Sequence, residues 1–140
     1  METDSSDGRK IHHVIIAIIK RDDKYLLMDR VNEPNGIALP MGHVKKDEDL
    51  EEALRREAGE ETGLTVKSSH LILEREGKAG CRHGGLYHKV HVYEVLREEG
   101  EVRPNKEAKS MRWYTVNEIR GIEPKLEKFT KYCFRQIGVL

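Results

Sequence analysis

The run IHHVIIAIIKR, residues 11–21, limits the fold more than any other stretch. Successive side chains of a strand point to opposite sides, and here both sets are apolar and largely β-branched. The run therefore reads as a strand buried on both faces. Asp22 and Asp23 make a turn, and KYLLMDRV, 24–31, returns as its hairpin partner. NEPNG, 32–36, is a loop by composition, and IALPMGHV is a short strand running into a Pro/Gly turn. Further strands are predicted over 65–76, 86–98 and 109–115, with a Gly-rich loop at 77–85. VNEIRG is a short helical turn.

Two helices complete the pattern. Asp47 is a suitable N-cap for a helix over 48–62, and Gly63 suits the left-handed residue that ends it. Apolar residues at 126, 129, 133, 134 and 137 predict an amphipathic helix over 124–137. One helix inside the strand series and one after it point to an α/β fold, a mixed sheet covered by helices.

Composition sets the remaining bounds. The chain has 140 residues, 37% apolar and 36% charged, enough for one modest core. We expect a single domain over 10–140, with residues 1–9 loose. Twenty-five acids balance twenty-five bases, so no global basic field for nucleic acid or an anionic membrane is indicated. Cys81 and Cys133 stand far apart, outside any CxxC pair, and read as free thiols of a reducing compartment. No long apolar run exists to span a membrane, and METDSSDGRK lacks the apolar core of a signal peptide. The expected location is the cytoplasm. A homodimer is left open.

The helix 48–62 carries the chemistry. Three carboxylates, Glu57, Glu60 and Glu61, crowd its last turn, where the helix dipole favours cations. On a wheel turning about 100° per residue from Leu50, Ala53, Leu54 and Ala58 fall within about 80° of it, and Glu57 and Glu61 within about 20°. The two acids thus continue the core-facing stripe. An ionised carboxylate removed from water has to protonate, pair or bind a metal. A salt bridge from the strands and a shared hard divalent cation both answer that demand. Arg56 has Glu52 four residues before it and Glu60 four after, an i,i+4 ladder that holds Glu60.

The spacing from Gly42 through Glu48 to Arg56-Glu57-Ala58-Gly59-Glu60-Glu61-Thr62-Gly63-Leu64 resembles the Nudix box, G-x5-E-x7-R-E-U-x-E-E-x-G-U. Every fixed position agrees, and both U positions are aliphatic. The strands and helix around it resemble the Nudix fold, an α/β/α sandwich, over nearly the whole chain. The resemblance implies a hydrolase that cleaves a phosphoanhydride bond in a nucleoside diphosphate linked to a moiety X, using Mg²⁺ or Mn²⁺. By position it implies Glu57 and Glu61 as metal ligands, Glu60 as a ligand or part of the base, and the Gly42 carbonyl as a ligand. Arg56 then orients the glutamates, and Glu48 is structural. Glu107 occupies a place where many relatives carry an extra metal-binding or basic glutamate. Arg30 resembles an arginine that relatives place on substrate phosphate.

Other residues complete the candidate site. Lys78, Arg82 and His83 lie in the Gly-rich loop, within reach of phosphates, and Tyr87 and Trp113 are candidates for stacking on a base. His12, His13, His88 and His91 fit strand alternation and read as structural. The chain departs from the family pattern just before the box: Met41 stands where the first of two paired glycines is usual, and Ile37 where an aromatic is. Loop shape and base contact at Met41 follow this chain's own pattern, and X stays open. The expected partner is a small-molecule nucleotide. A non-catalytic nucleotide sensor and an RNA 5′-end pyrophosphohydrolase are the alternatives.

Overall fold

The computed structural model describes residues 2–4, 10–30, 36–78, 87–103 and 108–140. The strands are β1 (Glu2–Asp4), β2 (Lys10–Ile18), β3 (Lys20–Arg21), β4 (Lys24–Arg30), β5 (Gly36–Ala38), β6 (Met41–His43), β7 (Thr65–Lys78), β8 (Tyr87–Glu99) and β9 (Ala108–Tyr114). The helices are α1 (Leu50–Thr62), α2 (Val116–Gly121) and α3 (Lys128–Gln136). No helix among the described residues is long and apolar enough to cross a membrane.

The strands form two sheets. The larger runs β1-β2-β8-β7, with β6 also on β2; β2 and β8 are parallel and the other pairs antiparallel. The smaller holds β3-β4-β5, with β9 on β4, all antiparallel. The expected strand 11–21 is therefore divided. It ends at Ile18 in the larger sheet, and Lys20–Arg21 starts the smaller one. Ile19 between them is buried, and its carbonyl accepts from the Leu26 N–H at 3.0 Å, which carries the chain across. Asp22 and Asp23 both have positive φ, 52° and 62°, as a two-residue type I′ hairpin turn requires. Part of the N-terminal segment expected to be loose is paired instead, with Glu2 opposite His12 in β1–β2.

Alternation along β2 divides the core in two. Val14, Ile16 and Ile18 pack with Val90, Val92, Cys133 and Phe134, under α3. Ile15, Ala17 and Ile19 pack with Ala53, Leu54 and Ala58 of α1. The central strand is buried on both faces because a helix covers each one, the three-layer arrangement expected.

Both helix starts differ from expectation. Asp49, not Asp47, caps α1, its carboxylate accepting from the Glu52 N–H at 2.8 Å. Glu48 stays in the preceding turn because its side chain is engaged with the Lys45 N–H and with Arg56. At the C-terminal end, Glu123–Lys125 forms a separate 3₁₀ turn and α3 begins only at Lys128. Leu126 is extended and bridges to Ile37, the Glu127 N–H donates to the Ile37 carbonyl, and Glu127 caps α3. Ile137, read as part of the apolar face, lies past the end of α3 and is exposed. Gly63 ends α1 with φ 81° as expected.

Candidate active site at the turn before α1

The site is built where β6 meets the last two turns of α1. Gly42 stands in the middle of β6, paired with Ile15 of β2. A Cβ built at Gly42 falls 2.1 Å from the carboxyl carbon of Glu57 and 2.3 Å from each of its oxygens. Real side-chain carbons never come that near, so glycine is the one residue that lets this carboxylate lie against the strand backbone.

Arg56 holds the acids together. Its Nε donates to Glu48 at 2.6 Å and one Nη2 hydrogen to the other Glu48 oxygen at 2.8 Å. The same Nη2 donates to the His43 carbonyl at 2.8 Å. Nη1 donates to Glu57 at 2.8 Å and to Glu60 at 3.1 Å. A guanidinium has five N–H donors in a fixed plane, and all five are used. This answers the expected ladder: Glu60 takes its place, while the donors expected for Glu52 go to Glu48 in the turn. These hydrogen bonds hold the Glu48 carboxyl down at about 2, against burial that pushes the other way. Glu48 first, and then Glu57, raise the Arg56 pKa against burial.

Glu61 is set deeper, at 1% exposure. One oxygen accepts from the Met41 N–H at 2.8 Å, and the other faces the Arg30 guanidinium at 3.3 Å. A strand arginine thus meets the buried charge, one of the two answers the helix wheel allows. Glu60, by contrast, is about half exposed. Arg30, expected at substrate phosphate, sits in the wall against Glu61. Met41 contributes its backbone N–H, while its side chain packs into the core under α3. Trp113 packs against the α1 core with the Arg21 guanidinium 5.1 Å from its ring centre. Arg82, His83 and Glu107 lie outside the described residues.

Glu57 and Glu60 share the Arg56 guanidinium beside the Gly42 backbone, while both Glu61 oxygens are engaged by the Met41 N–H and Arg30. Carboxylate and carbonyl oxygens are the ligand type a hard divalent cation such as Mg²⁺ or Mn²⁺ takes, and the Gly42 cradle leaves room for the Glu57 carboxylate beside the strand. The residue the sequence understated is Glu48. Its place in the 5–7 spacing was visible, but its capture of two Arg56 donors depends on the turn folding back.

A family model described as the NUDIX domain matches residues 10–136. An ADP-ribose pyrophosphatase of Methanocaldococcus jannaschii is 33% identical over 121 residues, 85% of this chain and 70% of that protein. The phosphatase NudJ of Escherichia coli K12 is 36% identical over 66 residues, 45% of this chain and 42% of its own length. The crystal structure of a MutT protein from Methanosarcina mazei Go1 superposes with a TM-score of 0.76 at 22% identity, covering 90% of this chain and 91% of the other. The chain belongs to the Nudix hydrolase family.

Proposed function

We propose that this Nudix hydrolase is a divalent-cation-dependent pyrophosphohydrolase that cleaves a nucleoside diphosphate linked to a moiety X. The observation that carries the reading is the seating of the Glu57 carboxylate against Gly42, with Arg56 tying Glu57, Glu60 and Glu48 to the same turn. Residues of these types at this spacing supply oxygen ligands of the kind a divalent cation and a phosphoanhydride require, with Glu60 exposed to solvent.

In this reading Glu57, Glu60, Glu61 and the Gly42 carbonyl hold Mg²⁺ or Mn²⁺. When bound, such an ion lowers the pKa of water and neutralises charge at the phosphates. Arg56 restricts the rotamers of Glu57 and Glu60, which lessens the reorganisation needed when the ion and substrate bind. Glu60, the most exposed of the three, serves either as a further ligand or as part of the base that takes a proton from the attacking water, with Glu107 as a second candidate for that base. Glu61 orders the Met41 backbone through its hydrogen bond. The name of the Methanocaldococcus jannaschii relative makes ADP-ribose, in which X is ribose, the first substrate to test.

The deciding experiment is a substrate screen with Mg²⁺ or Mn²⁺ in which chromatography resolves the products, a nucleoside monophosphate with phosphorylated X or with pyrophosphate. It covers ADP-ribose, nucleoside triphosphates, oxidised nucleotides, nucleotide sugars, dinucleoside polyphosphates and triphosphorylated RNA, with Glu57→Gln as the blank. Turnover of one small nucleotide that Glu57→Gln removes supports the reading. Tight calorimetric binding without product would replace it with the sensor, and selective cleavage of the RNA with the RNA enzyme.

A further inference from the structure

Three imidazoles meet on the α3 side of the larger sheet, opposite the carboxylates. His12 of β2 and His88 of β8 are direct partners in the parallel register. His43 of β6 belongs to the strand on the other side of β2, where it pairs with Val14. All three extend the side-chain row that holds Val14, Val90 and Met41. Their ring centres form a near-equilateral triangle, 5.7 Å on each side. One ring nitrogen from each lies within 4.8 Å of the other two. His88 is buried and His12 and His43 half-buried, and the Nε2 atom of His43 and the Nδ1 atom of His88 are shielded from water.

We propose that His12, His43 and His88 form a second metal site, for a zinc-class divalent transition ion, with the fourth coordination position open. The donor chemistry separates it from the carboxylate site. Imidazole nitrogens select zinc, copper or nickel over magnesium and calcium, which take oxygen. Zinc–nitrogen bonds of about 2.0 Å place tetrahedral ligand atoms roughly 3.3 Å apart, so small ring rotations close the triangle. Three ligands from three adjacent strands give a rigid tripod that a helix or loop would not. Edge-to-face packing of aromatic rings also accounts for one such pair. It does not account for three nitrogens converging in one place.

The site also reaches the turn that carries the chemistry. His43 follows Gly42 directly, and its carbonyl accepts from Arg56. An ion on the His43 ring therefore braces the same residue that Arg56 holds from the other side. This inference stands whether or not the hydrolase reading does.

The test uses the full chain, stripped with chelator and dialysed against Zn²⁺ or Co²⁺ in excess Mg²⁺, which fills the carboxylates. Elemental analysis is expected to find one transition ion per chain, with the intense visible bands of tetrahedral Co²⁺. Glu57→Gln leaves that ion in place, and His12→Gln weakens its binding at least tenfold. NMR of the wild type covers the case of a variant that fails to fold: Zn²⁺ shifts the imidazole signals of His12, His43 and His88 first. Failure of Zn²⁺ to bind in excess Mg²⁺ would overturn the proposal. So would binding abolished by Glu57→Gln but untouched by His12→Gln, or zinc-induced shifts confined to the α1 carboxylates.

Discussion

The carboxylate of Glu57 fills the space in which a side chain at residue 42 would have to lie, with a built Cβ only 2.1 Å from its carboxyl carbon. Gly42→Ala therefore has a specific consequence. Residue 42 sits inside a strand, where alanine suits the backbone, so the fold survives. Glu57 has to leave the strand. Hydrolysis is expected to drop on the order of a hundredfold or more, with the circular dichroism spectrum and Tm little changed. Full activity in a folded Gly42→Ala would show that the close approach is incidental.

Arg56→Lys keeps the charge and loses the fork. Lysine offers three donors on a flexible stem and cannot meet Glu48, Glu57, Glu60 and the His43 carbonyl together. As a positioning residue it is expected to raise the Mg²⁺ concentration giving half-maximal activity by roughly 10- to 100-fold. Saturating Mg²⁺ should recover part of kcat. A fall in kcat with unchanged Mg²⁺ dependence would instead put Arg56 on the substrate.

Arg30 and Glu61 form a buried pair, 7% and 1% exposed at the side chain. Removing Arg30 takes a positive charge from beside a carboxylate that is shielded from water. Arg30→Met is expected to cost about 3–5 kcal/mol in urea unfolding. Glu61→Gln in the same chain should return part of that loss, because the buried negative charge is gone. Additive losses in the double variant would mean that the two side chains are not coupled.

On the α1 side of β2, the His13 Nδ1 is 2.8 Å from the His91 Nε2, and His91 in turn meets Glu74. Burial first, then the charges of His91 and Lys89, lower the His13 pKa to about 4, against an opposing pull from Glu74. The unfolded chain takes up that proton near 6.5, and the folded chain only near 4. The contribution to stability is thus complete above about pH 6.5 and is lost as the pH falls toward 4. His91 is lowered as well, chiefly by burial, and acts in the same direction. The urea midpoint should fall between pH 7 and pH 4.5, and His13→Asn should flatten that slope. An equal slope in the variant would assign it to other groups.

The helix α1 and its acids were legible because 3.6-residue periodicity and capping are local. Gly63, the apolar stripe and the burial of Glu61 all follow from positions within one segment. The division of 11–21 between two sheets was not legible. Nothing in IHHVIIAIIKR marks Ile19 as the crossing point; the pairing of Leu26 with its carbonyl does. Likewise Pro124 and the apolar residues after it favour a helix, but Leu126 is taken by a tertiary bridge to Ile37. Alternation correctly placed His12 and His88 in strands. Their meeting with His43 needed the register of β2 against both β6 and β8, which no single segment encodes.

The central claim is that the carboxylates gathered at Gly42 drive hydrolysis of a phosphoanhydride. Its most direct test is the steady-state rate of Glu57→Gln beside the wild type, on the best substrate of the screen, across a Mg²⁺ titration. The prediction is a loss on the order of a hundredfold or more that no Mg²⁺ concentration restores, in a protein that unfolds at the wild-type temperature. Wild-type turnover by purified Glu57→Gln would contradict it.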